Sequence, residues 1–173
     1  MRRKLTWLIL FTAVIAVTAL YYAETGWATP SIGYKTRTLG KGGLGAFSVF
    51  NHFTGPNGQN WASWEATTAP SDLYVQDSVW LPGGTTGWHS HPGHSLIIVT
   101  EGTVTDYEGD DPNCTPHVYT KGMAFMDAGG SHVHIVRNEG TVEASTIAVQ
   151  LIPQGQPRRI DAPDPGKDRK SVV

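Results

Sequence analysis

The amino-acid sequence predicts an all-β fold, and its composition, strand patterning and turn spacing all favour it. The chain has 173 residues with 20 glycines and 11 prolines, which is typical of short strands joined by tight turns. It has no long amphipathic heptad pattern of the kind that a helix bundle requires. About nine or ten short apolar segments follow one another, with turn-forming residues roughly every 8–12 positions. A single domain built as a β-sandwich or β-barrel is therefore expected.

Residues 1–28 are predicted to be an export signal. The basic start "MRRK" is followed by "LTWLILFTAVIAVTALYY", a run of 18 residues without a formal charge. This run is longer than the roughly 7–15 apolar residues of a typical cleaved signal and reaches the lower bound for a membrane-spanning helix. Small residues at Gly26 and Ala28 provide a cleavage site after Ala28, so a signal peptide is expected. A retained signal anchor is the alternative, and both place the domain outside the cytoplasm.

The charge of the chain argues against a nucleic-acid partner. The formal charge is −2, and residues 1–28 contain three basic and one acidic residue, which leaves ten basic against fourteen acidic residues, or −4. A protein with this balance has no basic surface to neutralise phosphates. Contact with a membrane is expected only through the N-terminal segment, if that segment is not cleaved.

The rest of the chain divides into three predicted parts. Residues 29–45 are expected to be a linker that ends in a short strand, because they are rich in glycine and proline. Residues 46–155 are expected to form the β-barrel domain, and residues 156–173 a proline-rich tail that wraps the surface. Cys114 is the only cysteine, so an intramolecular disulfide is excluded and its role stays open.

Several segments of the central part have clear strand patterns. Leu73–Leu81 is followed by Pro82, which cannot donate to a sheet ladder. Leu96–Val99 is an apolar run of core-strand length, and Val142–Pro153 alternates between faces with period two. The segments "AFSVFNHF" and "WASWEA" are predicted hairpin arms on either side of the turn "TGPNGQN".

Two His-x-His pairs are the strongest functional signal. His89 and His91 are two residues apart, so on a strand both side chains project from one face, about 6.6 Å apart along the chain. His132 and His134 repeat this spacing. If the two segments face each other inside a barrel, the imidazoles converge, and neutral imidazole is a common ligand of divalent metals.

The remaining histidine assignments are less direct. His94 follows the Pro92–Gly93 turn and is expected at the rim of the site rather than in the ligand set. Only one of His132 and His134 is expected to bind metal. His52 and His117 are expected to be surface or hydrogen-bonded residues.

The stretch "GGTTGWHSHPGHSLIIVTEG" resembles the first conserved motif of the cupin superfamily. Gly83 stands six residues before His89, His91 follows, and Gly102 closes the pattern. The stretch "GMAFMDAGGSHVHIVRN" is similar to the second cupin motif, and His134 stands at its histidine position. This resemblance, which covers roughly residues 73–152, implies a double-stranded β-helix, or jelly-roll barrel, and a metal site. The sequence around the motifs also resembles that of a group of small exported cupins common in actinobacteria.

The resemblance implies His89, His91 and His134 as the metal ligands. Ser95 occupies the position where the family has a glutamate, so this chain lacks that carboxylate, and Ser95 is expected instead to hydrogen bond to metal-bound water. An alanine, Ala128, replaces the proline of the second motif. One extra residue precedes His134, so His132 is a competing ligand. The metal is expected to be a divalent ion: iron, manganese, nickel, zinc or copper.

The cavity of such a barrel is expected to hold a small molecule. Gln76, Trp88 and Phe125 are predicted to line its mouth, and Tyr74 is a further candidate. Three-histidine sites in the superfamily imply a dioxygenase-like or isomerase-like reaction, although no general base is evident in the sequence. A binding module without turnover is the alternative, and a structural domain with a degenerate site is a third. A homodimer is a further expectation, because exposed barrel edges often pair.

Overall fold

The structure is a computed structural model that describes residues 28–166, and this part of the chain is all-β. Ten of its strands join one sheet that curls into a nearly closed barrel, and two form a separate hairpin. The predicted all-β class is therefore confirmed for the described residues, and the predicted N-terminal export helix lies outside them. Between residues 28 and 166 there is no helix long and apolar enough to cross a membrane.

The strands alternate with tight turns along the whole described range. In chain order they are β1 (Ile32–Leu44), β2 (Phe47–Thr54), β3 (Asn60–Thr67), β4 (Ser71–Thr85), β5 (His89–Ser90), β6 (Ser95–Glu101), β7 (Thr103–Glu108), β8 (His117–Thr120), β9 (Ala124–Asp127), β10 (His134–Arg137), β11 (Ala144–Pro153) and β12 (Ile160–Asp161).

The barrel has two groups of hydrogen-bonded strands. One has the order β1-β4-β11-β6-β9, and the other has the order β8-β7-β10-β5-β12. Strand β10 joins the two groups through its contact with β4, where Arg137 pairs with Thr85. Both groups contribute residues to one internal cavity, and His89 and His134, on neighbouring strands of the second group, both line it.

Strand β1 corrects the prediction for residues 29–45. Instead of a linker with a short strand, this segment holds a 13-residue strand that pairs antiparallel with β4 from Ile32 opposite Thr85 to Leu44 opposite Ser71. Most of its side chains are exposed, so the strand is held by its backbone ladder and not by burial. That is why no hydrophobic alternation marked it in the sequence.

The tail is more closely joined to the barrel than a surface wrap. In β12, Asp161 pairs with His89 and Ile160 pairs with Ser90. Ala162 is buried in the same core cluster as Trp88. The segment after residue 156 therefore completes the strand group that carries His89.

The core consists of two clusters of buried side chains, and the first contributes Trp80 and Val136 to the cavity wall. One cluster contains Trp80, Val99, Val104, Val136 and Ala144. The other contains Trp88, Tyr107, Ile135 and Ala162. Complete burial of a large apolar side chain stabilises a fold by about 1.5–3 kcal/mol, so these clusters hold the strands in the register that the site needs.

The hairpin β2–β3 stands apart from the barrel sheet, as the two predicted arms and their turn indicated. Its strands pair from Phe47 opposite Thr67 to Thr54 opposite Asn60. One contact to the barrel is the ion-pair geometry between His94 Nε2 and Glu65 Oε1, 3.3 Å apart. The hairpin also carries exposed aromatic side chains: Phe50, Phe53, Trp61 and Trp64.

Candidate metal centre

Three imidazoles meet inside the barrel. His89 begins β5, His91 follows two residues later, and His134 begins β10 directly opposite His89 in the antiparallel ladder. The ring centroid of His89 is 4.5 Å from that of His134 and 4.7 Å from that of His91. One ligand nitrogen from each ring lies within 4.8 Å of the other two. Two segments that are about forty residues apart in sequence thus form one cluster.

Each of these imidazoles is oriented by a hydrogen bond at Nδ1. The Nδ1 atom of His89 bonds to the Gly87 carbonyl oxygen at 2.9 Å, and that of His91 bonds to the Arg158 carbonyl oxygen. The Nδ1 atom of His134 donates to Asp106 Oδ1 at 3.1 Å. Oxygen partners of this kind place the proton on Nδ1 and leave the Nε2 lone pair available to a metal. At His91, the amide nitrogen Nε2 of Gln150 also lies 2.9 Å from Nδ1.

The Nε2 atom of His134 is the clearest sign of an intended partner. It is buried and has no hydrogen bond among the described residues. Leaving a buried polar atom unsatisfied costs about 1–3 kcal/mol, and such atoms are uncommon in native structures. A bound cation would satisfy it.

Gly87 shows how the local sequence positions His89. Its backbone has a φ of +69°, and an added Cβ would lie 2.4 Å from the Thr29 carbonyl oxygen and 2.8 Å from that of Pro30. Only glycine fits this conformation and this close approach. The turn brings the Gly87 carbonyl to the His89 ring and turns β5 into the barrel.

Burial changes the protonation of the cluster. Burial, reinforced by the charge of His134, holds the pKa of His89 well below its ordinary value. Burial also lowers the pKa of His91. For His134, burial acts downward, but the hydrogen bond and charge of Asp106 outweigh it and raise the pKa. At neutral pH, His89 and His91 are therefore neutral and able to bind a metal.

The other predicted metal or outer-contact residues lie in different places. Ser95 is buried in the cavity wall, and its hydroxyl donates to Asp127 Oδ2 at 3.5 Å. His132 points toward acidic side chains instead of the cluster: its Nδ1 is 3.2 Å from Glu108 Oε2 and its Nε2 is 3.7 Å from Asp110 Oδ1. His94 contacts Glu65 of the hairpin and is not in the three-histidine cluster.

Two of the three predicted pocket residues line the cavity. Gln76 and Phe125 do so, whereas Trp88 does not, which corrects that prediction. Trp88 is 1% exposed and packs with Tyr107 and Ile135. Because it directly precedes His89, it projects from the opposite face of the segment, away from the metal cluster.

Three charged side chains of the cavity, Asp127, Arg158 and Arg159, were missed by sequence reasoning. Asp127, the last residue of β9, lines the cavity beside the histidines. Arg158 enters it from the tail, where Nη1 donates to Gln76 Oε1. The only sequence signal for Asp127 was an acid at the end of the apolar segment "MAFMD". Nothing local marked Arg158, because its position depends on how the tail folds back.

The cavity is small and has a mixed lining. Its volume is about 100 Å³, well below the roughly 300–1,000 Å³ of pockets for drug-sized ligands. Apolar parts of the wall come from Trp80, Ile97, Phe125 and Val136. A molecule of a few non-hydrogen atoms fits such a space.

The residues present fit a divalent metal ion. Three nitrogens bound to one tetrahedral ion at about 2.0–2.1 Å would be about 3.4 Å apart, and rotation about the soft imidazole torsions covers the remaining distance. The His134 Nε2 atom has no hydrogen bond within residues 28–166, and the Nδ1 atoms orient the three rings. Together they fit a metal site whose open coordination positions face the cavity. Three protein nitrogens with open positions are typical of catalytic rather than structural metal sites.

Comparison with known proteins found solved structures that are similar to part of this chain. A protein with a double-stranded β-helix domain from Klebsiella pneumoniae subsp. pneumoniae MGH 78578 is 20% identical, with 52% of this chain and 74% of that chain covered and a TM-score of 0.44. A cupin superfamily protein from Desulfitobacterium hafniense DCB-2 is 14% identical, with 46% and 67% covered and a TM-score of 0.40.

An oxalate oxidase is also similar, at 22% identity and a TM-score of 0.43, with 51% of this chain covered; the match spans 45% of the oxalate oxidase chain. No curated protein matches the chain. Residues 78–150 match the family model described as "Cupin domain". This match includes all three clustered histidines, so this part of the chain is similar to a cupin domain.

Proposed function

We propose that the protein is an exported metal-dependent cupin that binds one divalent ion through His89, His91 and His134 and oxidises or isomerises a small molecule. The observation that carries the proposal is the orphaned Nε2 of His134, buried at the meeting point of two other oriented imidazoles. The metal is iron, nickel, zinc or copper, which imidazole ligands suit, or manganese, which prefers the oxygen ligands that the remaining positions would accept.

A bound ion would act there as a Lewis acid toward a small molecule and any co-reactant. The chain's own residues prepare that site. Asp106 holds the His134 ring through Nδ1, and the carbonyl oxygens of Gly87 and Arg158 hold the other two rings. Phe125 and Ile97 restrict the space beside the cluster, which limits both water and the size of the substrate.

A binding module without turnover is the second candidate. The cavity of about 100 Å³ holds only a small molecule, and the glutamate of the first cupin motif is replaced by Ser95. In this alternative, the same three imidazoles hold the metal, and the metal holds the ligand.

Oxygen uptake and product formation separate the two candidates. Protein loaded with iron(II), and in parallel with manganese(II), is incubated with a panel of small organic acids, alcohols and thiols. The enzyme proposal expects turnover that disappears in a His89→Ala/His91→Ala variant with an intact fold. Saturable binding without any turnover would favour the binding module, and a wild type that retains no metal would remove both.

Export is part of this proposal and rests on residues 1–28 alone. The basic start and the apolar run are the supporting observations. Mass spectrometry of the protein from its native host should show either an N-terminus at Thr29 or an intact anchored chain. A full-length chain in the cytosolic fraction would contradict export.

A further inference from the structure

The carboxylate of Asp127 lies near the space that a glutamate at position 95, as in the first cupin motif, would occupy. Ser95 occupies the glutamate position of the first motif, and Asp127 lies directly opposite Ser95 in the β6–β9 ladder. Opposed residues of an antiparallel pair have Cβ atoms about 4.5–5.5 Å apart and share one face of the sheet. A side chain on β9 can therefore enter the space that a glutamate on β6 would fill.

The two oxygens of this carboxylate have different surroundings. Oδ1 accepts the backbone N–H of Gly129 at 2.9 Å, which fixes the side chain. Oδ2 faces the histidines, 3.6 Å from His91 Nε2 and 4.0 Å from His134 Nε2. Donors that share one tetrahedral ion lie about 3.4 Å apart, so Oδ2 is close to a ligand position.

The buried carboxylate of Asp127 would also be stabilised by a nearby cation. Its side chain is 1% exposed, and its ion-pair partners among residues 28–166 are the imidazoles of His91 and His134. A carboxylate buried without a cationic partner is costly. A divalent ion between Oδ2 and the Nε2 atoms would supply that partner.

We propose that Asp127 Oδ2 is a fourth ligand, so that β9 supplies the carboxylate that the first motif lacks at Ser95. The expected ligand set is then three neutral imidazoles and one carboxylate, with a ligand charge of −1, and an ion that takes five or six ligands keeps one or two positions open to the cavity. This inference rests on the proposed metal site and adds a ligand that neither cupin motif identifies.

Metal affinity tests the ligand without any assay of activity. Cobalt(II) binding is measured by chelator competition and by visible absorption, which reports the ligand set. We expect Asp127→Asn to weaken binding at least tenfold, because even outer hydrogen-bond partners of metal ligands contribute roughly 10–100-fold, and to change the visible spectrum. Asp110→Asn removes an equal charge at a side chain that is 80% exposed and serves as the control.

A second substitution tests the replacement itself. In the Asp127→Asn background, Ser95→Glu should restore affinity and move the spectrum back toward that of the wild type. The crystal structure of the zinc-loaded wild type needs no variant and should place Oδ2 at about 2.0–2.2 Å from the ion.

Wild-type affinity in Asp127→Asn, or an Oδ2 atom more than about 3 Å from a zinc ion held by the histidines, would overturn the role of Asp127 and leave the three-histidine site standing. A wild type that binds no cobalt would overturn both proposals.

A second inference comes independently from the tail. The guanidinium of Arg158 lies in the same cavity, where it donates to Gln76 Oε1 and lies 5.4 Å from the centre of the Tyr74 ring. Among residues 28–166, no carboxylate lies within ion-pair distance of it. Arg159, in contrast, is paired with Asp161 at 2.5 Å. A half-buried guanidinium facing a metal cavity is suited to bind a carboxylate through its planar set of donors.

We propose that the substrate is a small carboxylate, bound by Arg158 beside the metal cluster. This inference rests on the proposed function and specifies its substrate class. The cavity volume of about 100 Å³ restricts the acid to a few carbon atoms.

Calorimetry on the zinc-loaded protein tests this class. The probes are acetate, glycolate and propionate, each compared with its neutral amide. Carboxylates should bind at least tenfold more tightly than amides, and Arg158→Gln should remove that preference, because the charge-assisted bonds are lost. Arg37→Gln, at an exposed arginine paired with Asp77, is the control.

Zinc content is measured in the same samples. Protein that holds zinc but binds acids and amides equally, or Arg158→Gln with the wild-type preference, would overturn the substrate class alone. Protein that holds no zinc would overturn the proposed function together with it.

Discussion

The two His-x-His pairs have the same spacing but different outcomes. His89 and His91 both enter the cavity, whereas only His134 of the second pair does. His132 lies before β10, and its ring is directed at Glu108 and Asp110. A spacing of two residues therefore does not by itself place both side chains on one face.

The turn before β10 explains the difference. His132 donates its backbone N–H to the Gly129 carbonyl oxygen at 3.4 Å, so the chain is still turning at this residue. β10 begins only at His134, where the backbone pairs with both His89 and Glu108. The first pair instead begins with the strand at His89.

Removal of the His134 ring should have the largest effect. His134→Ala deletes the one ligand that comes from the second pair, and we expect metal affinity to fall more than about 100-fold, beyond the range for outer partners. Chelator competition with zinc(II) measures the change. Binding within a factor of three of the wild type would mean that the two segments do not share an ion.

Loss of the charge of Asp106, which hydrogen bonds to His134, should lower metal affinity clearly but less than loss of the His134 ring. Asp106→Asn keeps an oxygen acceptor but loses the charge that supports the imidazole, so we expect affinity to fall roughly 10–100-fold. The same competition assay reports it. Asp110→Asn, beside His132, should leave affinity unchanged, and equal losses in the two variants would remove the distinction between the pairs.

The pairs should also differ in titration of the metal-free protein. We expect the pKa values of His89 and His91 below 6.5, and that of His134 above it. The lowered pKa values of His89 and His91 contribute folding stability that is complete above pH 6.5 and is lost as the pH falls through the lowered values. The raised pKa of His134 contributes folding stability that is complete below pH 6.5 and is lost as the pH rises through the raised value. Ring-proton NMR shifts measure each value, and His134 titrating below His89 would contradict the role of Asp106.

Removal of the His132 ring should have the smallest effect. The side chain is 29% exposed, and its ring nitrogens face Glu108 and Asp110 outside the cluster. We expect His132→Ala to change metal affinity less than about twofold and the free energy of unfolding by no more than about 0.5 kcal/mol. Chelator competition and urea unfolding provide the numbers. A loss comparable to that of His134→Ala would make His132 a ligand.

Local patterns predicted much of this site because its main parts lie in short motifs. Alternation places His89 and His91 together, and the second motif singles out His134. The strands with apolar alternation, such as Leu73–Leu81 and Val142–Pro153, fall within β4 and largely within β11.

The remaining parts depend on tertiary register. Asp127 reaches the cluster only because β9 pairs with β6 opposite Ser95, and Arg158 does so only because the tail returns along β5. Trp88 was placed in the pocket by its nearness to His89, although alternation turns it into the core. A single sequence without these pairings could not distinguish such cases.

Metal stoichiometry tests the central claim most directly. Protein purified without an affinity tag is stripped with a chelator, titrated with zinc(II) and analysed by elemental mass spectrometry after dialysis. The account predicts saturation at a single ion per chain, because imidazoles from both segments bind the same ion. Saturation at two ions, or no ion retained after dialysis, would contradict it.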